Sequence, residues 1–373
     1  MKDVVILGVG MTDFGRFPHL PYYKLGADAV LDALGDAGIE WKDIPVAFCA
    51  NTNNGMCPGE LVEAELGHTG IPVVNVQNAC AGGQTACFMA HQAVASGSYD
   101  IALALGVEQM PRGAIVGMPP TPAMLMGAES FVGKYAMKMQ RAIHEHRYTL
   151  DQMAKVSVKN HENGCLNPRS QYKLHLTIED IHKSRMIAEP LTLYHCCPTG
   201  DGAAAVILCS EEVARKYTTP PFIKVAGVAL RTQTFVRGDP ADTHEITINT
   251  AREAYKKAGI GPGDLNIVEL HDNFTISELE HYEELGLCGL GEGGRLIDEG
   301  ITEITGSIPV STSGGLLAKG HPTAATGISQ MYEIVWQMRG QAGQRQVKDP
   351  KVGLCNCNGG DQGMACGVVI IKK

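Results

Sequence analysis

Short apolar runs bounded by glycine, proline or polar residues recur along the chain. Runs of strand length lie at 46–49, 73–76, 101–106, 267–270, 308–311, 352–354 and 367–371. Helical spacing predicts helices from about 80 to 95 and from about 323 to 339. One pattern occurs twice. Ala33-Leu34-Gly35-Asp36-Ala37-Gly38-Ile39 precedes Asp43-Ile44, and Ala254-Tyr255-Lys256-Lys257-Ala258-Gly259-Ile260 precedes Asp264-Leu265, at a constant offset of 221 residues. In each copy an alanine-rich amphipathic helix ends at a glycine, turns and enters a strand. The runs at 73–76 and 308–311, each leading through a turn into one of the two predicted helices, form a second, looser echo.

Strands alternating with helices imply mostly parallel sheets with helices on their faces. Two such halves in tandem predict similar domains whose strand ends converge on one crevice, the usual ligand site of open α/β sheets. The expected halves are 1–109 plus 199–220, and 221–373. The segment 110–198 has no counterpart in the echo. It holds eight of the fifteen methionines, and eleven Lys/Arg against seven Asp/Glu, so it is positive within a chain of net charge −9. This composition suits an excursion whose basic face meets an anionic ligand and whose methionines line an adaptable apolar tunnel. It also suits an ordinary helical insertion with solvated charges.

Composition narrows the function. An aromatic content of 6% and an acidic balance argue against a nucleic-acid binder. No apolar run reaches membrane-spanning length, and the first residues have too short an apolar run for a signal peptide. Twelve cysteines in a chain of 373 residues are then expected as free thiols in a reducing cytoplasm. Neither Cys196-Cys197 nor Cys355-Asn356-Cys357 has the two-residue gap of a zinc knuckle. Gly8-Val9-Gly10 lacks a correctly spaced third glycine, so no dinucleotide site is expected.

Four short motifs carry chemistry. Asn78-Ala79-Cys80-Ala81-Gly82-Gly83 puts a thiol where a helix begins, a place that lowers thiol pKa values, although most free cysteines are simply buried. Gly320-His321-Pro322 occupies the matching junction of the second half, where the proline keeps the histidine out of helical geometry. Glu269-Leu270-His271-Asp272-Asn273-Phe274 places polar groups at the end of an apolar run, with Asp272 or Asn273 also able to cap the next helix. Cys355-Asn356-Cys357-Asn358-Gly359-Gly360 follows another strand, and its glycines allow close backbone approach to a ligand; alone it also reads as a tight turn.

In this order on a duplicated α/β chain, these motifs resemble the thiolase family from end to end, and His-Asp-Asn-Phe is similar to the His-Asp-Cys-Phe of its sterol carrier protein type and archaeal relatives. The resemblance implies the thiolase fold, a duplicated five-layered α-β-α-β-α core, with 110–198 as a loop domain covering a coenzyme A thioester. It implies Cys80 as the acyl-carrying nucleophile, His321 as its activator, and Cys357 as the acid/base thiol, with Cys355 the alternative. One oxyanion hole would comprise His321 and His271, the other the N–H groups of Cys80 and Gly359, with Asn273, Gly320 and Gly360 in support. Asn273 stands where the sterol carrier type has a cysteine, which leaves the acid/base duty to the later thiols. Coenzyme A enters as substrate and no metal is implied. The resemblance further implies a homodimer and a separate zinc-ribbon/OB-fold (DUF35-type) accessory chain. It extends to a thiolase of anaerobic aromatic degradation that cleaves benzoylsuccinyl-CoA, hence an aromatic acyl group. A short-chain acetyl-CoA C-acetyltransferase, a ketoacyl synthase-like condensing enzyme and a non-catalytic acyl-CoA-binding subunit are the alternatives.

Overall fold

The computed structural model describes residues 2–113, 122–127, 130–234, 244–360 and 364–373. Nine strands form the main sheet: β1 (Val4–Met11), β2 (Ala47–Ala50), β3 (Val73–Val76), β4 (Ile101–Gln109), β5 (Asp201–Ser210), β6 (Lys224–Thr232), β7 (Ile267–Glu269), β8 (Val352–Gly359) and β9 (Ala365–Lys372). The helices that define the layers are α1 (Tyr22–Ala37), α2 (Pro58–Leu66), α3 (Gly82–Ala95), α4 (Phe131–His144), α5 (Leu150–Leu166), α6 (His244–Ala258), α7 (Thr275–Glu284) and α8 (Thr323–Arg339).

The strand order β3-β2-β4-β5-β1-β6-β9-β8-β7 contains the duplication. Read outward from the β1–β6 junction, β1-β5-β4-β2-β3 matches β6-β9-β8-β7, with a single bridge from Val268 to Val310 in the fifth place. The run at 308–311 is therefore a one-residue bridge and not the predicted strand, because Ser311 turns into left-handed geometry at φ 55°. The sheet is also mixed, contrary to the expectation of mostly parallel pairing. Only β3-β2-β4 and β7-β8 run parallel. Five residues join β8 to β9, too few for a crossover, so they pair antiparallel. The long excursion after β4 returns β5 antiparallel beside it.

Three apolar cores separate five layers. One lies between α1/α2 and the first half-sheet and includes Val30, Leu34, Leu103 and Ile207. The second fills the space between the half-sheets, where α3 and α8 pack together and bury Ala86, Ala90, Ile328 and Met331. The third joins the second half-sheet to α6, α7 and the excursion through Met139, Met153, Ile276 and Tyr282. In α8 every residue from Thr323 to Val335 is buried, as a helix sandwiched between two sheets must be. The repeated helices α1 and α6 end at Gly38 (φ 69°) and Gly259 (φ 64°), the left-handed caps that their glycines predicted.

The excursion contributes α4 and α5. Its residues 114–121 and 128–129, and with them Met118, lie outside the described residues. Among the described residues, Met110, Met139 and Met153 are buried in packing, Met126 and Met186 are exposed, and Met137 is the one methionine on the wall of the main cavity, so these methionines do not line a tunnel together. The three buried methionines serve as core filler, a role their flexible thioethers fill well. No helix among the described residues is long and apolar enough to cross a membrane, and all twelve cysteines are free.

Candidate active site

Cys80 stands between β3 and α3. Ala79 precedes it at φ 47°, a conformation that costs a residue with a Cβ roughly 1–2 kcal/mol and that tertiary packing must enforce. Enforcement comes from β8: a Cβ on Gly359 would lie 2.1 Å from the Asn78 carbonyl oxygen and 2.8 Å from Ala81 N. Only glycine lets the strand end press against this turn. His321 comes from the equivalent junction of the second half, after a π-helical turn at Gly315–Lys319 and before α8. Gly320, at φ 109°, makes the bend that delivers it.

The two residues meet with Cys80 Sγ 3.3 Å from His321 Nε2. The ring's other nitrogen, Nδ1, is 2.8 Å from the Thr326 hydroxyl, which itself donates to the Pro322 carbonyl at 3.0 Å. With that hydroxyl proton committed, Nδ1 must be the donor to Thr326, so Nε2 presents a lone pair to the thiol. His321 is thus oriented as a base.

A second thiol–imidazole pair lies beside the first. Cys357 donates from Sγ to the Cys80 carbonyl at 2.9 Å, and His271 Nδ1 is 3.1 Å from the same sulfur. Since the thiol proton goes to the carbonyl, His271 donates from Nδ1 and keeps Nε2 as acceptor. The imidazoles of His271 and His321 pack edge to face at 5.2 Å. Cys355, two residues earlier on β8, is packed in the central core among apolar side chains.

Burial dominates the electrostatics. It pushes the Cys80 thiol up to about 12, aided by the Glu108 carboxylate and opposed by the N–H groups of Cys80 and Gly360. The helix start therefore does not produce a resting thiolate as its position suggested. Burial, with the nearby Lys319, holds His321 down at about 3, lowers His271 well below its ordinary value and raises Cys357 well above. Both pairs rest as neutral thiol and neutral imidazole. The backbone N–H directed at Cys80 from the turn after β8 is that of Gly360.

Asp272 does not cap α7, whose N-cap is Phe274 without a side-chain bond. Its carboxylate instead accepts from Leu316 N at 2.8 Å, Leu317 N at 3.2 Å and Asn160 Nδ2 at 2.8 Å. It thereby ties the His271 strand end to the turn that carries His321, and burial with the neighbouring Glu278 raises its pKa to about 7. Asn273 accepts from Phe274 N and donates through Nδ2 to Tyr135 OH at 2.9 Å.

The site opens into a cavity of about 670 Å³ lined by Cys80, His271, Asn273, Gly360 and helix α4. From α4, Phe131, Lys134, Tyr135, Lys138 and Arg141 face it. These positions recur every three or four residues, so a single helical face carries both the rings and the positive charges. Among the described residues, Cys80, His271 and His321 place potential ligand atoms within 4.8 Å of one another.

Thr326, Tyr135, Glu108 and Asn160 escape a reading of the sequence. Thr326 leaves one trace, a hydroxyl one helical turn beyond Gly-His-Pro; the other three carry no local signal, since their partners are distant in the chain.

Two family models cover most of the chain: "Thiolase, N-terminal domain" matches residues 4–212 and "Thiolase C-terminal domain-like" matches 229–373. The chain belongs to the thiolase family. It is an acyltransferase enzyme, a coenzyme A-dependent thiolase. The thiolase is 41% identical to an acetyl-CoA acetyltransferase of Methanothermobacter thermautotrophicus, with 98% of each chain covered. It is 39% identical to the benzoylsuccinyl-CoA thiolase subunit BbsB of Thauera aromatica, covering 96% of this chain and 95% of that one. A solved structure described as "Ltp2-ChsH2(DUF35) aldolase" superposes with a TM-score of 0.86 at 25% identity, covering 99% of this chain and 97% of its own.

Proposed function

We propose that this thiolase cleaves a 3-oxoacyl-CoA by thiolysis, or runs the reverse Claisen condensation, through an acyl-Cys80 intermediate. The observation that carries this reading is the Cys80–His321 contact of 3.3 Å with the imidazole lone pair aimed at the thiol. As Cys80 Sγ bonds to the 3-oxo carbon, its proton moves to His321 Nε2. The oxyanion then lies near the N–H groups of Cys80, of Gly359 at the end of β8 and of Gly360 just beyond it. The C2–C3 bond breaks toward the thioester, whose enolate oxygen accepts a hydrogen bond from the protonated His321 Nε2, while His271, its Nδ1 proton held by Cys357, offers Nε2 to a water that supplies the second donor. Cys357 gives its proton to the α-carbon. Coenzyme A next attacks the acyl-Cys80 carbonyl carbon, its thiol proton returns to Cys357, and Cys80 leaves and recovers its proton from His321. Each preorganised donor at the developing charge contributes on the order of 3 kcal/mol.

The basic face of α4 suits the phosphates of coenzyme A, with residues 110–198 as the loop domain above the site and 1–109 plus 199–220, and 221–373, as the two halves. No metal takes part. Phe131 and Tyr135, edge to face at 5.4 Å on the cavity wall, favour an aromatic acyl group over the shortest ones. The enzyme works in the cytoplasm as a homodimer. A similar protein is named as a subunit and a similar fold is titled with a DUF35 partner, which supports a separate zinc-ribbon/OB-fold accessory chain here.

The test is mass spectrometry after incubation with 3-oxoacyl-CoA esters of aliphatic and aromatic type, alone and with co-purified partners. The wild-type chain should gain an acyl adduct on Cys80, and Cys80→Ser should gain none. An undiminished adduct on the variant would refute the nucleophile assignment.

A further inference from the structure

Tyr135 lies on α4, in the excursion between the two halves, yet lines the same cavity as Cys80 and His271. Its ring is clamped: it stacks on Phe274 with centroids 4.0 Å apart and planes at 24°, and meets Phe131 edge-on. The phenol oxygen accepts from Asn273 Nδ2 at 2.9 Å. The amide cannot turn over to take the phenolic proton, because Asn273 Oδ1 already accepts from Phe274 N at 3.1 Å. Among the described residues the Tyr135 proton has no acceptor. A hydroxyl on a cavity wall with its lone pair engaged and its proton free of protein acceptors is a donor available to a ligand. One turn along α4, the Lys138 ammonium stands 5.7 Å from the centre of the ring, in an ion pair with Glu280. The local field beside that donor is therefore that of an ion pair, Lys138 with Glu280, and Glu284 also lines the cavity.

We propose that Tyr135 contacts the substrate and reads a hydrogen-bond acceptor on its acyl group, so that the preferred esters carry a carboxylate or carbonyl oxygen beyond the 3-oxo group. This rests on the assignment of the Cys80 cavity as the thiolase site and adds the class of acyl group it takes. A site whose buried donor finds no acceptor in the ligand loses a hydrogen bond and leaves the donor unpaired, which is how polar sites reject apolar analogues.

Tyr135→Phe removes only the hydroxyl and keeps the ring on Phe274, and its thermal melt checks that the fold persists. The informative measurement is kcat/KM for a pair of esters matched in chain length, 3-oxoadipyl-CoA with a terminal carboxylate and 3-oxohexanoyl-CoA without one. The wild type should prefer the carboxylate, and the variant should lose that preference by about ten-fold or more. Equal losses for both esters would reduce Tyr135 to a packing residue, and an unchanged ratio would equally overturn the proposal. Failure of the wild type to acylate Cys80 with either ester or with acetoacetyl-CoA would sink the thiolase assignment of the cavity, and this proposal with it.

Discussion

Across 3.3 Å the Cys80 sulfur and His321 Nε2 share a single proton, and burial decides where it rests. The thiol is pushed up to about 12 and the imidazole down to about 3, so below the thiol value and above the imidazole value both groups are neutral. An ion pair would instead hold a constant thiolate fraction through neutral pH. Alkylation of Cys80 by iodoacetamide in the free enzyme should therefore rise about ten-fold per pH unit from pH 7 to 10 with no plateau. A plateau between pH 6 and 8, followed by peptide mapping of Cys80, would show a resting thiolate and contradict this ordering. Proton transfer then belongs to the step in which substrate arrives, when the carbonyl takes up the developing charge. The same neutrality explains why a thiol and two imidazoles can sit together without electrostatic conflict.

At the scale of elements, the site depends on strand ends pressed against turns. β8 carries Cys357 inward and ends on Gly359, whose missing Cβ gives the Asn78 carbonyl its space. Gly359→Ala should displace the Asn78-Ala79-Cys80 turn, lowering acyl-enzyme formation at least a hundred-fold while destabilising the fold by only about 1–3 kcal/mol. Far-UV circular dichroism with single-turnover acylation separates the two effects; a variant as fast as wild type would show that the contact does not place the nucleophile. Asp272 does the corresponding work in the second half by gripping Leu316 and Leu317. The expectation of a helix cap there failed because a carboxylate at a strand end had better donors across space than along the chain.

For the whole molecule, the duplicated order of strands brings Cys80 and His321 to one crevice because α3 and α8, which follow them, pack against each other between the half-sheets. The first half-sheet ends on β3, hydrogen-bonded on one side only, with Val74 40% exposed. An open edge of this kind is a template for another strand, which makes it the place to test for the interface of the proposed homodimer. Val74→Lys should convert the dimer to monomer in sedimentation velocity; an unaltered dimer would place the interface elsewhere.

Much of this protein was legible in the chain. The 221-residue echo foretold two like halves, and the glycines at 38 and 259 marked helix ends because only left-handed backbone suits them. Cys80, His271 and His321 stood out because polar or reactive groups at strand ends and turns are poor packing, whereas Cys357 was singled out only through the family resemblance. Local pattern could not give the mixed direction of the sheet, which follows from where a distant strand docks. Nor could it give the thiol–imidazole pairing, the proton positions or Tyr135, which depend on residues dozens to hundreds of positions apart. Periodicity and turn chemistry act between near neighbours, so they were written in the sequence; burial, hydrogen-bond partners and pKa values arise from neighbours in space, and only the folded chain decided them.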